Sequence, residues 1–281
     1  MIMQNLLVSI IIPCKDDKSS IAGLRDDIAR QKPPFDTEVI KVGNISPASR
    51  ARNIGAKEAN GEILVFIDCD IRLGNDSFLA NLARPLRECK DIGATCSSIR
   101  IPPDSSRFQI RYAREIPHCE SPIVKKLTDV SEASSACCAI CRDTFFKIGG
   151  FNEDIIRGED SLLSYQLREA GYRIVLAADT WCYHPQPDNL IELVKTQFRN
   201  GLGVCFVDTF HPDLNMDVHP DGVSFCTARK TKLARIRRFV FSLLGAVFRG
   251  RFLLLSAKLI YMVSYFQGIC KYRILKSPPE N

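Results

Sequence analysis

Short apolar runs alternate with amphipathic segments along the first seventy residues. Three runs rich in Val, Ile and Leu, at residues 6–12, 38–42 and 62–67, have the length and the β-branched content of strands. Between them, apolar residues recur at helical spacing in residues 21–31, and residues 47–59 have the start and stop signals of a helix. The order strand, helix, strand, helix, strand predicts an α/β layered domain with right-handed crossovers.

The run at residues 62–67 (EILVFI) is apolar without alternation. This pattern is typical of a strand that helices cover on both faces, so we expect a mostly parallel central sheet. The pattern further along predicts helices over residues 77–90 and 161–170, and strands over residues 93–101 and 136–141. The sequence contains no internal repeat and no low-complexity linker.

Composition and charge divide the chain into two parts. Of the 281 residues, 46% are apolar and 25% are charged, which excludes a disordered or fibrous protein. Residues 227–281 carry twelve Lys/Arg against one acidic residue, a net charge of +11. Residues 1–226 carry 26 Lys/Arg and 31 Asp/Glu, a net charge of −5. We therefore expect one domain over residues 1–226 and a basic helical appendage over residues 227–281.

The cysteine count and the N-terminus both bear on the compartment. Twelve cysteines in 281 residues are too few for a disulfide-dense secreted scaffold. The first residues show neither the basic segment nor the small-residue cleavage site of a secretory signal. We expect reduced thiols and a cytoplasmic protein.

The appendage mixes apolar, aromatic and basic residues. Residues 239–248 are too short to span a membrane, and residues 252–270 have borderline length with Lys258 and Gln267 inside them. Such a mixture suits helices that lie in the interface of an anionic membrane, and a nucleic-acid-binding tail would be more polar. We expect a peripheral protein on the cytoplasmic face, with an ordinary pair of packed helices as the alternative.

Asp68 and Asp70 form a D-x-D turn directly after the predicted central strand. Ligands of such sheets bind outside the carboxyl ends of the strands. Two carboxylates at this spacing can reach one hard cation, Mn²⁺ or Mg²⁺, which a substrate's phosphates can share. The alternative is a solvated acidic turn, which the tripeptide alone does not exclude.

Arginines lie near the start of the helix predicted over residues 47–59. Arg50, Arg52 and Asn53 follow Ser49 there. Guanidinium groups and a helix N-terminus favour the same anion, so this segment suits a phosphate or diphosphate. A solvated helix face is the alternative.

Glu159 and Asp160 stand at the start of another predicted helix, a few residues after Gly150. Paired acids there can be simple capping residues, or one can serve as a general base because its pKa is tunable. His184 ends a predicted strand and is a structural residue unless a metal lies beside it. The motif C-C-x-x-C at residues 137–141 lies in an apolar run without a second pair at zinc-site spacing, which favours small buried residues.

Together these segments resemble a known enzyme family. The segments SIIIPCKDD, SRARNIGAKEANGEILVFIDCDI, GGFNEDIIRGEDSLLSYQLREAGY and WCYH, in this order, are similar to the family-2 glycosyltransferases, which have the GT-A fold. The resemblance covers roughly residues 8–203. It implies a nucleotide-sugar donor, a divalent metal at Asp68 and Asp70 with His184 as a third ligand, and Asp160 as the catalytic base.

The resemblance also implies donor and acceptor contacts. The residues expected to bind substrate are Pro13, Asp16, Arg50, Arg52, Asn53, Asp68, Gly150, Glu159 and Arg199. The last of these lies in a basic segment, FRNG, that in many members lies near the donor diphosphate. The second strand lacks the aspartate-rich turn that contacts the nucleotide base in many relatives; Asp16 or Asp17 is the substitute, and a UDP-sugar is the default donor.

The implied reaction is direct displacement with inversion at the anomeric carbon. Asp160 takes the proton of an acceptor hydroxyl, and the metal neutralises charge on the leaving diphosphate. The acceptor is expected to be a growing polysaccharide, a glycolipid or a lipid-linked glycan, because the appendage favours a membrane. Two alternatives are a polyprenyl-phosphate glycosyltransferase, which needs no base, and a catalytically silent scaffold of the same fold. The joint presence of the acidic residues and His184 disfavours the silent scaffold.

Overall fold

The computed structural model describes residues 6–16, 21–116, 119–155, 157–210, 217–218, 225–226 and 232–274. These residues form two compact units. The first unit contains the chain up to Arg100 together with Ser121–His184, and the second contains Ile101–Glu120 and the chain from Pro185 onward. The predicted boundary after residue 226 meets residues 227–231, which lie outside the described residues, so it stays a prediction.

The first unit holds a central sheet and its covering helices. Its strands are β1 (Leu7–Pro13), β2 (Asp36–Val42), β3 (Ile63–Ile67), β4 (Arg72–Leu73), β5 (Ile92–Arg100), β6 (Thr128–Asp129), β7 (Cys137–Cys141) and β8 (Arg173–Tyr183). Its helices are α1 (Ala22–Arg30), α2 (Ala48–Glu58), α3 (Phe78–Glu88), α5 (Arg142–Lys147) and α6 (Glu159–Glu169). Each strand and helix predicted for this unit is present within a few residues of its predicted bounds.

The sheet has the order β2-β1-β3-β7-β5-β8-β4, and β6 pairs with β8. Strands β1, β2, β3, β5 and β8 run in one direction, while β7, β4 and β6 run in the other. The predicted α/β architecture with a central sheet is therefore confirmed, and the described sheet is mixed because β7 is inserted antiparallel between β3 and β5. The carboxyl ends of five strands thus meet at one edge.

The core lies on both faces of the sheet. On β3, Ile63, Val65 and Ile67 belong to one buried cluster, which includes Leu24 of α1 and Phe78 of α3. The other two residues of β3, which are Leu64 and Phe66, belong to a second cluster with Phe145, Leu163 and Leu167. Every residue of β3 is buried because helices cover both faces, as the unalternating run predicts.

The second unit is mainly helical. Its elements are α4 (Arg107–Glu115), α7 (Leu190–Phe210), β9 (Asp217–Val218), β10 (Phe225–Cys226), α8 (Lys232–Phe248), α9 (Phe252–Gly268) and a π-helical segment (Ile269–Ile274). Helix α4 begins with a capping box, in which Ser106 and Gln109 bond each other's backbone N–H groups. Helix α7 and helix α4 were not among the predicted elements.

Helices α7 and α9 pack with their backbones close together. A Cβ atom at Gly201 of α7 would lie 1.9 Å from the Ser264 hydroxyl and 2.4 Å from the Tyr261 carbonyl oxygen. One at Gly268 of α9 would lie 2.7 Å from the Cβ of Cys205. Only glycine permits this approach, so small residues fix the contact between the two helices.

One helical stretch in the described residues is long and apolar enough to cross a membrane. It is Phe252–Ile274, with a mean hydropathy of 1.4 over its most apolar window. This is a statement of length and composition alone, since buried helices of globular proteins pass the same test. The packing of α9 on α7 shows that one face of the stretch contacts protein.

Candidate functional site

Polar side chains collect where the co-directional strands of the first unit end. Asp68 follows β3, His184 follows β8, and Pro13 is the last residue of β1. Helix α2 begins a few residues after β2, and the segment before β7 enters the same edge because that strand runs in the opposite direction. The topology therefore assembles one polar edge from five separate parts of the chain.

Arg52 joins two of these parts. Its guanidinium donates to a carboxylate oxygen of Asp68 at 2.7 Å, and its other terminal nitrogen lies 3.4 Å from an oxygen of Glu159. The Arg52 side chain is 3% exposed, and it lies 5.4 Å from the centre of the Phe151 ring. The structure thus gives this arginine two carboxylate partners, and its predicted contact with a diphosphate stays a prediction.

The negative charges around Arg52 compensate for the cost of burying its guanidinium group. Burial by itself would lower the pKa of this guanidinium, but the negative charges of Asp68, Asp160 and Glu159 outweigh burial and raise the pKa. A buried cation of this kind is stable only while its carboxylate partners are present. Arg52 therefore holds the D-x-D turn and the start of α6 in one electrostatic cluster.

Asp160 lies in the first turn of α6 and is half-buried. Burial, with the neighbouring charge of Glu159, raises the pKa of its carboxyl group to about 7, against the lowering effects of Ser135 and Arg52. The backbone N–H of Ser135 donates to its Oδ1 at 3.1 Å and fixes its position. A carboxyl group with such a pKa is suited to accept a proton near neutral pH.

The segment between α5 and α6 is held against α2 by a double hydrogen bond. The Asn53 amide donates to the Phe151 carbonyl oxygen at 2.8 Å and accepts from the Phe151 N–H at 3.0 Å. Gly150 has a φ of +69°, and a Cβ there would lie 3.0 Å from the Asn53 amide oxygen. Asn53 and Gly150 are therefore fully occupied in shaping this segment, while their predicted contact with substrate stays a prediction.

Asp70 and His184 lie next to each other at the edge. His184 Nε2 is 3.8 Å from Asp70 Oδ1, and the His184 N–H donates to the Arg100 carbonyl oxygen at 2.9 Å. Desolvation raises the pKa of Asp70, partly offset by His184. Among the described residues, no three His, Cys, Asp or Glu side chains are arranged to hold a metal ion. Asp68 is paired with Arg52, and the three-ligand set of Asp68, Asp70 and His184 stays a prediction.

The other predicted site residues have varied positions. Pro13 is buried at the end of β1, and Asp16, shortly after it, is half-buried. Arg50 is exposed, with its Nε 3.8 Å from a Glu153 oxygen. Arg199 is exposed on α7 in the second unit, and its predicted contact with the donor stays a prediction.

Sequence patterns did not indicate the segment before β7 as part of the site. Besides the N–H of Ser135, this segment contributes the Ala136 carbonyl oxygen, which accepts from the Asp68 N–H at 2.9 Å. It also contributes Glu132, whose carboxylate accepts a short hydrogen bond from the Ser161 hydroxyl. The contacts are made mainly by backbone atoms, so no residue type marks them in the sequence.

The C-C-x-x-C cysteines are part of the core. Cys137 and Cys138 are buried in β7, and Cys141 is half-buried at its end. All three are free thiols, and burial raises the pKa of the Cys138 thiol well above its usual range. A buried thiol with a raised pKa is a weak nucleophile and a weak metal ligand.

Comparison with solved structures places this architecture among glycosyltransferases. A mannosyltransferase from Pyrobaculum calidifontis in complex with GDP-Man and Mn²⁺ is similar with a TM-score of 0.57 and 15% identity, over 94% of this chain and 87% of that one. GalNAc-T7 with UDP, GalNAc and Mn²⁺ is similar with a TM-score of 0.51 and 14% identity, over 83% of this chain and 54% of that one. At these identities the likeness shows the fold, which is the GT-A glycosyltransferase fold.

Two curated proteins are similar in sequence. An O-antigen biosynthesis protein, RfbC of Myxococcus xanthus, is 24% identical over 63% of this chain and 17% of its own length. The O-antigen chain rhamnosyltransferase RfbN of Salmonella typhimurium is 24% identical over 54% of this chain and 50% of its own length. The chain therefore spans half or less of the curated relatives that it matches.

The family model named "Glycosyltransferase like family 2" matches residues 3–203, which include the D-x-D turn, α2 and the start of α6. This match covers well over half of the chain. The chain therefore belongs to glycosyltransferase-like family 2.

Proposed function

We propose that the protein is a metal-dependent, inverting glycosyltransferase that moves a sugar from a nucleotide-sugar donor to an acceptor hydroxyl. The observation that carries this proposal is Asp160. Its carboxyl group has a pKa of about 7, stays partly accessible, and is held by Ser135 beside the D-x-D turn. A general base near neutral pH needs these three properties.

The reaction needs one displacement at the anomeric carbon. The Asp160 carboxylate accepts the proton of the acceptor hydroxyl while the hydroxyl oxygen bonds to that carbon. The bond between the carbon and the diphosphate oxygen breaks, and the nucleoside diphosphate leaves with the bonding electrons. Attack opposite the leaving group inverts the configuration, so the chain provides one base and no covalent nucleophile.

Arg52 serves this reaction as a positioning residue. Its two ion pairs fix Asp68, which begins the D-x-D turn, and Glu159, which directly precedes the base Asp160. Its positive charge also lowers the pKa of Asp160, which burial alone would raise further. The base is therefore ionised over more of the neutral range than it would be without Arg52.

Asp70 and His184 would hold a divalent cation. Their donor atoms are 3.8 Å apart, close enough for both to reach one ion at ligand distances of about 2 Å. A carboxylate with an imidazole suits Mn²⁺, with Mg²⁺ as the alternative, and the remaining ligands would be donor phosphates and water. When bound, the ion would supply Lewis-acid neutralisation of charge on the leaving diphosphate.

The comparisons support a role in the synthesis of cell-surface polysaccharide. Both curated relatives are named for O-antigen, and one is a rhamnosyltransferase. We propose a growing glycan or a lipid-linked glycan as the acceptor, at the cytoplasmic face of a membrane. The similar solved structures hold either GDP-Man or UDP, so the nucleotide of the donor has to be found by testing several nucleotides, beginning with UDP.

The test is the thermal stability of the full chain with UDP, GDP, ADP, CMP and dTDP, each with and without Mn²⁺. A nucleotide at a hundredfold excess over its Kd stabilises the folded state by about 2.7 kcal/mol, or about 5–10 °C in Tm. We expect one nucleotide to give this shift only with Mn²⁺. Asp70→Ala should abolish the shift, and the exposed Asp26→Ala should keep it.

The absence of a shift with every nucleotide would contradict the proposed donor site. A shift that does not need Mn²⁺ would contradict the metal while leaving the donor site in place. A nucleotide-dependent shift that survives in Asp70→Ala would show that this residue is not a metal ligand.

A further inference from the structure

The turn between α8 and α9 exposes two phenylalanine rings, and two arginines lie between them in the sequence. Its sequence is Phe248-Arg249-Gly250-Arg251-Phe252, and Phe248 and Phe252 are 86% and 61% exposed. Gly250 has a φ of +62°, which allows the chain to reverse within this tight turn. Two exposed phenylalanines at the tip of a hairpin are unfavourable in water and suit insertion between lipid headgroups.

Three further arginines lie beside this turn, on α4. Arg107, Arg111 and Arg114 occupy one face of that helix and, with Gly250 and Glu115, line a cavity of about 400 Å³. These three arginines are exposed, and one of them pairs with Glu115 at 2.7 Å. The turn and α4 therefore form one strongly basic pocket.

Glu115 keeps α4 and the start of α9 in this arrangement. Its carboxylate is 8% exposed and accepts the N–H groups of Leu253 and Leu254, the second and third residues of α9. Tyr112, one turn earlier on α4, is buried against Leu253 and accepts a hydrogen bond from Gln197. The arginine face is thus held beside the aromatic tip by buried contacts.

An apolar stripe continues from the tip along α8. It consists of exposed apolar side chains of that helix, namely Ile236, Val240, Phe241, Leu244 and Val247. Arg237 and Arg238 of the same helix are exposed as well. Apolar side chains that are exposed beside cationic ones complement a bilayer with anionic headgroups.

We infer that the tip, residues 248–252, docks on an anionic membrane. Phe248 and Phe252 enter the headgroup region, and the α4 pocket together with Arg249 and Arg251 binds the phosphate groups of anionic lipids. Part of this surface, α4, lies outside the basic C-terminal appendage. The inference does not depend on the proposed transfer reaction, because vesicle binding is measured without donor or acceptor.

The experiment is co-sedimentation of the full chain with vesicles of phosphatidylcholine alone or mixed with phosphatidylglycerol. We expect binding to the mixed vesicles, released at high salt. Replacing both tip phenylalanines by serine should weaken it at least tenfold, whereas Leu190→Ser with Ile191→Ser, an exposed apolar pair on α7, should not. Arg249→Gln with Arg251→Gln should weaken it about 20–30-fold.

Further variants and measurements distinguish docking on lipid phosphate groups from other modes of membrane binding. Arg107→Gln with Arg114→Gln should reduce the preference for anionic vesicles, whereas Arg25→Gln with Arg84→Gln, a matched pair in the first unit, should not. Because these side chains are exposed, apart from the half-buried Arg251, each variant should stay within about 0.5 kcal/mol of the wild-type stability. Equal binding to both vesicle types, or competition by millimolar inorganic phosphate, would overturn the lipid-phosphate site. Retention on membranes after carbonate extraction would overturn docking in favour of an inserted α9.

Discussion

Asp160→Asn should make the protein more stable while removing its activity. The asparagine amide oxygen can still accept the N–H of Ser135, so the local hydrogen bond is kept. The substitution removes the charge, which is the feature that burial and Glu159 oppose, and replaces one carboxylate oxygen by an amide NH2 group of similar size. This change therefore tests the electrostatics of the site without altering its shape.

The magnitude follows from the raised pKa. The pKa of the Asp160 carboxyl rises from 3.8 to about 7 on folding, so the native state binds this proton more tightly than the unfolded chain does. The stability that the group contributes is full below pH 3.8 and is lost as pH rises to about 7. One pKa unit is about 1.4 kcal/mol, so at pH 8 the variant should be more stable by about 2–4 kcal/mol.

The assay is urea unfolding of wild type and variant at several pH values, with sugar transfer measured alongside. The stability gain should shrink below pH 7 and vanish near pH 4, and Asp26→Asn, an exposed control, should show none. Transfer to a hydroxyl acceptor should fall by about 10²–10⁴, because a general base contributes that much. A variant that is less stable than wild type at pH 8 would refute the reasoning, and undiminished transfer would point to a phosphate acceptor.

Three further perturbations have defined outcomes. Arg52→Met should lower the free energy of unfolding by about 2–4 kcal/mol in urea at pH 7.5, because it leaves the half-buried carboxylates of Asp68 and Glu159 unpaired. Exposed Arg50→Met should change it by less than about 0.5 kcal/mol, and equal effects of the two changes would contradict the cluster around Arg52. His184→Ala should raise the Mn²⁺ concentration needed for nucleotide binding at least about tenfold, as followed by a metal titration, and an unchanged requirement would remove it from the metal site. Gly201→Ala should lower the Tm measurably, because the added methyl group would clash with α9. The control Gly245→Ala on α8, where a Cβ meets no atom within 4 Å, should leave the Tm unchanged or raise it. The reverse order would contradict the packing of α7 on α9.

The sequence was most informative for strand β3, because a strand that is buried on both faces consists of apolar residues without alternation. The run at β3 predicts its own central position, and the D-x-D that follows it lies at the end of that strand, as expected. The sequence could not predict that β7 enters antiparallel, because a short buried strand has the same composition in either direction. Helix α4 was missed although its Ser106 and Gln109 form a capping-box pattern that a search for caps would find.

The sequence predicted which residue types form the site, but it did not predict which of these side chains pair with one another. The charges at Arg52, Asp68 and Asp160 were visible in the sequence, but ion pairing between an arginine and the D-x-D turn depends on the third dimension. An arginine near a helix start is equally consistent with a bound phosphate and with a buried carboxylate. The choice between them depends on burial, which only the fold reveals.

The hydrogen bonds of Glu115 have a consequence for exchanging parts between relatives. This carboxylate, on α4, accepts two N–H groups at the start of α9, so residues from two distant stretches of sequence complete one another. A chimera that keeps this protein's residues 101–120, and takes residues 185–280 from a relative whose helix starts at another position, would strand a buried negative charge. Recombination that preserves the second unit must therefore move both stretches together, as one discontinuous cassette.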